Sequence, residues 1–222
     1  MASSTAGAER AVPQISQPTK EAIRAAIRAS RAARTPDERL ADDRARTELL
    51  LAALDDWGPT VVAAYASAAA EPATGELLEA LAARGTTVLL PMLSPTVEGL
   101  RRTPDWAVHE GRAGLRSGLW GIPEPTSEPL GGAAIEQAEL VIVPGIAGTL
   151  AGDRLGTGGG WYDRALAGTT SERWLLLNDD EVYESLPLDP WDLPVSAIVT
   201  PTRVVRCRPQ RVHQESNPPA GR

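Results

Sequence analysis

The fold is decided by one stretch of the chain, Val141-Ile-Val-Pro-Gly-Ile-Ala-Gly-Thr-Leu-Ala-Gly-Asp-Arg-Leu-Gly-Thr-Gly-Gly-Gly-Trp-Tyr-Asp-Arg164. It opens on an apolar run that predicts a buried strand over 139–143, and it closes on residues that predict a helix over 162–167. The loop between them is rich in glycine, which lets backbone approach a ligand closely. Backbone amides beside a helix start bind phosphate well. We therefore predict a phosphate-binding loop, with a mobile linker as the alternative for the glycines alone.

This loop matches neither of the two common nucleotide-binding signatures. It lacks the G-x-x-x-x-G-K-[ST] pattern of a Walker loop, and its glycine spacing differs from that of a Rossmann fingerprint. Arg154 beside the glycines can hold a phosphate through two parallel hydrogen bonds. Asp163, on the first turn of the predicted helix, can face a cation, or it can simply complement the helix dipole. The residues alone leave both roles open for Asp163.

Strands and helices alternate on both sides of this stretch. We predict further helices over 18–33, 36–54, 74–83 and 133–138. We predict further strands over 60–65, 86–90, 174–177, 196–199 and 203–206, with short edge strands and loops elsewhere in 92–137. Strand–helix–strand order implies parallel strands joined by right-handed crossovers. The predicted fold class is therefore α/β, a three-layer sandwich with a mostly parallel sheet.

The chain of 222 residues fits one domain or a tightly joined pair of domains, flanked by two tails. Residues 1–17 and 207–222 are polar and without period, so we predict disordered tails around a folded domain over 18–206. No apolar run is long enough for a transmembrane helix, and the first residues lack the features of a secretory signal. A single cysteine, Cys207, excludes an internal disulfide framework and a cysteine-cluster metal site. We expect a cytosolic, cytoplasmic protein that is a monomer and has no membrane partner.

Charge narrows the classes of function. The net charge of −7 disfavours general nucleic-acid binding. Lys20 is the only lysine among 22 basic residues, which indicates a position that needs an ammonium unless composition alone explains it. The spacing of Lys20 from Arg24, Arg28 and Arg31 places all four on one face of the first predicted helix.

Few nucleophiles or histidines are present to carry other chemistry. His213 lies in the predicted tail, and we expect His109 to be a solvated loop residue. The sequence therefore disfavours a Ser-His-Asp site and a histidine-rich metal site. The remaining candidates are Lys, Arg, Asp and Glu around phosphate and magnesium, which is the equipment of phosphoryl transfer.

Four segments together resemble the 5-formyltetrahydrofolate cyclo-ligase family, also called methenyltetrahydrofolate synthetases. The strongest is Val143-Pro-Gly-Ile-Ala with Gly152-Asp-Arg-Leu-Gly-Thr-Gly-Gly-Gly-Trp-Tyr-Asp-Arg164, which is similar to the family's V-P-G-x-A-F-D … G-x-R-L-G-x-G-G-G-Y-Y-D-R. The weaker segments are Lys20-Glu-Ala-Ile-Arg24, Tyr65-Ala-Ser67 with Glu71-Pro-Ala-Thr74, and Gly121-Ile-Pro-Glu-Pro125. The resemblance covers residues 18 to 204.

The resemblance implies a fold related to phosphosugar isomerases and CoA transferases. It also implies a ligase of one-carbon metabolism that converts 5-formyltetrahydrofolate and ATP to 5,10-methenyltetrahydrofolate, ADP and phosphate, with Mg²⁺. ATP would phosphorylate the formyl oxygen, and nitrogen 10 would then close the ring as phosphate leaves. Such a reaction requires no protein nucleophile.

Carried onto this sequence, the family's pattern assigns roles residue by residue. Lys20 and Arg154 would be catalytic, and Asp163 and Asp192 would hold Mg²⁺. Glu71, Glu124 and Tyr162 would contact the folate. The ATP-binding residues would be Lys20, Arg24, Gly152, Arg154, Leu155, Gly156, Thr157, Gly158, Gly159, Gly160, Trp161 and Tyr162.

Four departures from the family's pattern keep other functions open. Gly148 and Thr149 stand for Phe and Asp, Glu181 stands for Gln, and Trp191 stands for His. They leave a catalytically weak cyclo-ligase-like protein that binds folate or nucleotide as the main alternative. A phosphosugar-type isomerase is a third possibility. It would need no ATP, but it would need a catalytic carboxylate with a histidine.

Overall fold

The computed structural model describes residues 18–96, 99–101, 104–189 and 191–208. The predicted N-terminal tail, His213 and most of the predicted C-terminal tail lie outside these residues. The α-helices are α1 (Lys20–Ala33), α2 (Pro36–Leu54), α3 (Gly75–Ala83) and α4 (Trp161–Leu166). The strands are β1 (Val61–Ala63), β2 (Thr87–Met92), β3 (Asp105–Val108), β4 (Leu115–Ser117), β5 (Pro123–Pro125), β6 (Leu140–Val143), β7 (Ala147–Thr149), β8 (Arg154–Leu155), β9 (Glu172–Leu176), β10 (Val182–Tyr183), β11 (Ala197–Val199) and β12 (Val204–Arg206). Within the described ranges, no helix combines the length and the apolar character that crossing a bilayer requires.

Local sequence sets the starts of the first two helices. Thr19 caps α1 by accepting a hydrogen bond from the Ala22 amide. At α2 the Thr35 hydroxyl accepts a hydrogen bond from the Glu38 amide, and the Glu38 carboxylate accepts one from the Thr35 amide. These two reciprocal hydrogen bonds form a capping box. At α3, Thr74 occupies the capping position but makes no side-chain capping hydrogen bond, so the helix predicted from residue 74 begins at Gly75.

Thr74 is instead used to shape the loop after β1. Its hydroxyl donates to the Tyr65 carbonyl and accepts from the Ser67 amide. A threonine hydroxyl can donate only one hydrogen bond, and in this buried position the Thr74 hydroxyl donates it to the Tyr65 carbonyl. The residue therefore ties both ends of the loop together.

A seven-stranded sheet forms the centre, in the order β12-β11-β9-β6-β1-β2-β3. The inner strands β11, β9, β6, β1 and β2 are parallel, and the two edge strands are antiparallel to their neighbours. This confirms the predicted mostly parallel α/β sheet. From β1 the chain passes to β2 on one side and later to β6 on the other. The gap between β1 and β6 is therefore a topological switch point, where open α/β sheets bind ligands.

Helices cover both faces of the sheet and make three layers. Leu140 and Ile142 of β6 pack with α2 and α3, whereas Val141 and Val143 pack with α4 and a 3₁₀ helix over Gly132–Gln137. All four side chains are fully buried. The alternation of side chains along a strand thus produces two separate apolar cores.

A second, three-stranded sheet of β10, β7 and β8 lies beyond the carboxyl ends of the parallel strands. The sequence predicted only a loop here. The front of the glycine-rich stretch forms the β7–β8 hairpin, and β10 pairs parallel to β7. Helix α1 packs on this small sheet through Ile23 and Ile27, which contact a cluster that includes Ile146 and Leu155. The opening helix is therefore anchored to the glycine-rich stretch rather than to the main sheet.

Two further predictions need correction. β2 continues through Pro91, which was expected to end it. β2 pairs with β1 only as far as Leu89, so Pro91 has β3 as its only neighbouring strand. The backbone amide that proline lacks is therefore not needed to hydrogen bond with β1. At the other end of the chain, Cys207 and Arg208 still donate backbone hydrogen bonds to Ser196 and Leu150. The structured chain therefore includes these two residues of the predicted tail.

We predict that Gly148→Ala lowers the free energy of unfolding by about 1–3 kcal/mol, because overpacking a filled core costs that much. A Cβ at this position would lie 2.8 Å from Leu175 Cδ2 and 3.1 Å from Ile198 Cδ1. Chemical denaturation measures the change. The matched control is Gly75→Ala, where the nearest atom would be 3.7 Å away, and we expect it to be neutral or stabilising. Equal stability of the two variants would contradict the packing argument.

Candidate functional site

A cavity of about 670 Å³ opens beyond the carboxyl ends of the parallel strands. It lies between the start of α1, the glycine-rich loop, α4 and the loop that precedes β11. Its lining residues are Lys20, Arg24, Pro144, Arg154, Leu155, Gly156, Thr157, Gly158, Gly159, Gly160, Trp161, Tyr162, Asp163, Arg164, Ala167, Asp189, Trp191, Asp192 and Leu193. Open α/β sheets bind their ligands at this position, beyond the carboxyl ends of the strands.

The glycine loop is held in place through its carbonyls. Arg24 donates to the Gly156 carbonyl at 3.0 Å, and Arg164 donates to the Gly159 carbonyl at 3.1 Å. Gly160, which precedes α4, has a φ of 62° in the left-handed region that favours glycine. The two arginines therefore shape the loop, and they bring positive charge to the same cavity.

Lys20 lies between two carboxylates at the mouth of the cavity. Its Nζ is 2.7 Å from Asp189 Oδ2 and 2.6 Å from Asp192 Oδ2. Burial alone would lower the pKa of Lys20, but the hydrogen bonds that its ammonium donates to these two aspartates outweigh burial and raise the pKa above its ordinary value. Lys20 is therefore an ammonium at every physiological pH. The role expected for the single lysine requires that charge.

Arg154 and Asp163 form an ion pair deeper in the cavity. The Arg154 side chain is buried, and its Nη1 donates a hydrogen bond of 3.4 Å to the Pro144 carbonyl. The Asp163 carboxylate also accepts a long hydrogen bond from the Leu193 amide, 3.5 Å away. Leu193 follows Asp192, so the two carboxylates predicted to hold Mg²⁺ lie on neighbouring segments of the same cavity.

These two carboxylates fit a magnesium ion that shares its coordination with a phosphate. Mg²⁺ prefers oxygen ligands and commonly uses one or two carboxylates, with substrate phosphates and water completing its octahedron. In the described residues no group of three or more His, Cys, Asp or Glu side chains could form a complete protein cage. Asp163 and Asp192 would therefore hold the ion only together with a bound phosphate.

Tyr162 connects the cavity to the switch point of the sheet. Its hydroxyl is buried, and no atom of the described chain hydrogen bonds to it. Burial, together with the nearby charge of Glu71, raises the pKa of Tyr162. Burial also raises the pKa of Glu71, whose carboxylate accepts from the Ala68 amide at 2.9 Å. Two of the three predicted folate residues therefore lie close together, although Glu71 does not line the main cavity.

The third predicted folate residue, Glu124, is engaged within the fold. Its buried carboxylate accepts hydrogen bonds from the Leu93 and Ser94 amides and from Arg116. Burial alone would raise the pKa of Glu124, but these donors lower it below its ordinary value. The structure therefore does not bring Glu124 to the cavity. It fixes the loop after β2 instead.

Gly152 is the one predicted ATP-binding residue that lies away from the cavity. Its amide donates to the Thr149 carbonyl in the β7–β8 turn, and its carbonyl accepts from the Val195 amide. Its role is to join the hairpin to the segment before β11. The other eleven predicted ATP-binding residues line the cavity.

Sequence reasoning missed a buried ion pair between Arg31 and Glu181. Arg31 Nε and Nη2 donate to the two Glu181 oxygens at 2.7 and 2.8 Å, and Nη2 also donates to the Gly145 carbonyl at 2.8 Å. Burial alone would lower the pKa of Arg31, but the Glu181 carboxylate raises it. The only available signals were that Arg31 shares a helix face with Lys20 and that Glu181 departs from the family's pattern.

The cavity also contains Asp189, which sequence reasoning did not assign, and Trp191, which was noted as a departure from the family's pattern. Asp189 lies three residues before the predicted Asp192, so the spacing within that loop could have suggested it. Beside the cavity, Trp120 is exposed with a φ of 57° and contacts Trp161 edge-on, with 6.3 Å between ring centroids. The segment before β5 therefore borders the cavity through an aromatic contact.

His109 is not the solvated residue expected from the sequence. It is buried, and its Nε2 is 3.0 Å from a Glu79 carboxylate oxygen. Its amide donates to the Val88 carbonyl near the start of β2, at the end of the sheet opposite the cavity. His109 and Glu79 thus form a histidine–carboxylate pair, but they lie outside the cavity, and an isomerase would need such a pair inside it. Cys207 is half-buried, and burial with the charge of Asp153 raises its pKa to about 11, so its thiol is not a poised nucleophile.

Comparison with known proteins shows which family the chain belongs to. A sequence model of the 5-formyltetrahydrofolate cyclo-ligase family matches residues 16–201. The chain belongs to this family. A cyclo-ligase of Mycolicibacterium smegmatis is 32% identical over 144 residues, which are 64% of this chain and 74% of the relative. One of Escherichia coli is 31% identical over 146 residues, covering 64% and 79%.

Solved structures show the same cyclo-ligase fold. The 5,10-methenyltetrahydrofolate synthetase of Aquifex aeolicus has a TM-score of 0.71 and 28% identity, covering 90% of this chain and 99% of its own. The synthetase of Mycoplasma pneumoniae has a TM-score of 0.64 and 19% identity, covering 82% and 98%, and it shows a similar fold.

For this cyclo-ligase family member we predict that Glu124→Gln lowers the free energy of unfolding at pH 7 by about 1–3 kcal/mol, because buried amides lose a charged acceptor. The folded pKa of Glu124 is below its unfolded value, so the stability it contributes is present above about pH 4.3 and fades as the pH falls through the folded pKa. Denaturation of both proteins at pH 7 and at about pH 3 measures the difference. Equal stability at pH 7 with weaker folate binding would instead support the substrate contact expected from the sequence.

Proposed function

We propose that this chain is an ATP- and Mg²⁺-dependent 5-formyltetrahydrofolate cyclo-ligase. The single observation that carries the proposal is the composition of the cavity. It gathers all but one of the predicted ATP-binding residues with both predicted metal carboxylates. Lys20 and Asp192 are far apart in the sequence but only 2.6 Å apart in the fold. A cavity with this set of charges suits a triphosphate better than a neutral or cationic ligand.

The cavity's own side chains would act by positioning and by stabilising charge. Lys20 and Arg24, on successive turns of α1, would meet the phosphates from one side. Arg154 would donate to the oxygens of the transferred phosphoryl group from below, with a fork that matches phosphate geometry. In phosphoryl transfer such fixed cations supply most of the rate acceleration.

The chemistry needs no covalent link to the protein. The formyl oxygen of the folate attacks the terminal phosphorus of ATP and ADP leaves. Nitrogen 10 then attacks the activated carbon and loses its proton, and the former formyl oxygen departs with the phosphate as the ring closes. A magnesium ion held by Asp163 and Asp192 would neutralise phosphate charge during the transfer. Tyr162 and Glu71 would face the folate from the switch point of the sheet.

A catalytically weak binding protein is the alternative, and the positions of the departures argue against it. Gly148, Thr149 and Glu181 are fully buried, and none of them lines the cavity. The Thr149 hydroxyl donates to Asp153, which supplies a carboxylate beside the position where the family has one. Only Trp191 lies in the cavity, and it is largely exposed there.

The proposal is tested by mixing the purified protein with 5-formyltetrahydrofolate and MgATP and following the absorbance of the methenyl product. We expect product only when both ATP and Mg²⁺ are present, and none after EDTA. Absence of product at high enzyme concentration, with nucleotide binding intact, would favour the binding protein instead. The monomeric state and the cytosolic location expected from the sequence remain predictions.

We also predict that Lys20→Ala raises the KM for ATP at least about tenfold, the equivalent of one charge-assisted contact worth about 1.4 kcal/mol. The cost in stability should stay below about 1 kcal/mol, because partly exposed ion pairs contribute little. The matched control is Arg28→Ala, two turns along the same helix, where the side chain is 53% exposed. Steady-state kinetics with varied ATP measures both variants, and an unchanged KM for Lys20→Ala would contradict the phosphate role.

A further inference from the structure

The main cations of the cavity already have anionic partners before any ligand arrives. Lys20 is bridged to Asp189 and Asp192, and Arg154 is paired with Asp163. Two of the three N–H donors of Lys20 and one nitrogen of Arg154 are therefore already bound to carboxylates. A phosphate that approaches either cation competes with these carboxylates for it.

Two of the three carboxylates have another use when a divalent cation is present. Asp163 and Asp192 are the residues that fit Mg²⁺, and a bound cation would compensate them for losing Arg154 and Lys20. A nucleotide without its cation brings more negative charge beside carboxylates that gain nothing in return. Like charges a few ångströms apart repel, and partial burial strengthens the repulsion.

Asp189 differs from the other two carboxylates. It contacts Lys20 at 2.7 Å, yet its side chain is 44% exposed and it lies on the outer side of the bridge. Its backbone amide donates to Asp192 Oδ2 at 2.8 Å, which sets the direction of that carboxylate. The Asp189 side chain competes for Lys20 in the same way as Asp192, but it has no assigned role in the reaction.

We propose that Asp189 is a specificity-determining residue that makes the cavity accept the nucleotide together with its divalent cation and reject the free nucleotide. This inference rests on the proposed ATP-dependent function. In the absence of the cation, Asp189 holds Lys20 and repels the triphosphate. In its presence, the added positive charge offsets Asp189, and Lys20 turns to the phosphate.

The test is isothermal titration calorimetry with the β,γ-imido analogue of ATP, performed once with EDTA and once with Mg²⁺. We expect the wild type to bind at least about tenfold more weakly with EDTA. Asp189→Asn should bind the metal-free analogue about threefold more tightly than the wild type, which is typical of one partly exposed charge. Its affinity with Mg²⁺ should stay within about twofold of wild type. The gain should shrink at about 0.5 M salt, because salt screens exposed charges.

Two further variants separate the proposal from a structural effect. Asp56→Asn removes the same charge from an exposed position before β1, at the opposite end of the sheet, and should leave both affinities unchanged. Asp192→Asn should tighten metal-free binding but weaken binding with Mg²⁺, because it removes a metal ligand as well as a partner of Lys20. A loss of fold would weaken both kinds of binding, and thermal unfolding of each variant checks for it.

The outcomes distinguish this inference from the proposed function. If the wild type binds the analogue with Mg²⁺ but Asp189→Asn does not gain metal-free affinity, the selecting role of Asp189 is overturned and the cyclo-ligase proposal stands. The same conclusion follows if Asp56→Asn gains as much. If the wild type fails to bind the analogue even with Mg²⁺, the ATP-dependent function is overturned, and the role of Asp189 is overturned with it.

Discussion

The buried ion pair between Arg31 and Glu181 is the interaction on which the site depends. Helix α1 carries Lys20 and Arg24, yet it packs on the small sheet and not on the main one. Arg31 fixes the far end of this helix to Glu181 after β9 and to the Gly145 carbonyl after β6. The Asn178 amide and side chain donate two more hydrogen bonds to Glu181, so the buried carboxylate is fully satisfied. A buried ion pair needs such additional hydrogen bonds to offset its desolvation. Removing one partner of a buried pair commonly lowers the free energy of unfolding by about 3–5 kcal/mol.

The small sheet solves a second problem, which is how to bring the glycine-rich stretch close to the main sheet. β7 passes so near β9 and β11 that the side chains of Leu175, Leu177 and Ile198 fill the space a Cβ would need at Gly148. A larger residue at this position would require smaller neighbours. The departure from the family's phenylalanine is therefore explained by packing, and Gly148 does not line the cavity. The hairpin then delivers Arg154 and the glycines directly above the ends of the parallel strands.

The sequence predicted the parts of the site that are encoded locally. The glycine loop, Lys20 and Asp163 lie in short motifs, and the position of such motifs after predicted strands indicates the edge of the sheet where they meet. What escaped prediction depends on contacts between distant segments. The bond between Arg31 and Glu181 joins residues 150 positions apart, and nothing near either residue indicates its partner. The burial of Glu124 and His109 depends in the same way on neighbours brought by other segments. His109 was expected to be solvated because it lies in a predicted loop, and Glu124 was expected to contact the folate because of the family resemblance.

The cavity wall is assembled from both ends of the domain, since Lys20 and Asp192 are separated by 172 positions. A ligand seated there would tie the first helix to the last crossover of the sheet, and it would bind only after both had docked. By thermodynamic linkage, such a ligand raises the free energy of unfolding of the whole domain, because it binds only the folded state. The opening helix packs on the small sheet only, and the Lys20 ion pairs and the Arg24 hydrogen bond join its first turns to the cavity wall. Occupancy of the cavity and protection of α1 from amide hydrogen exchange should therefore rise together.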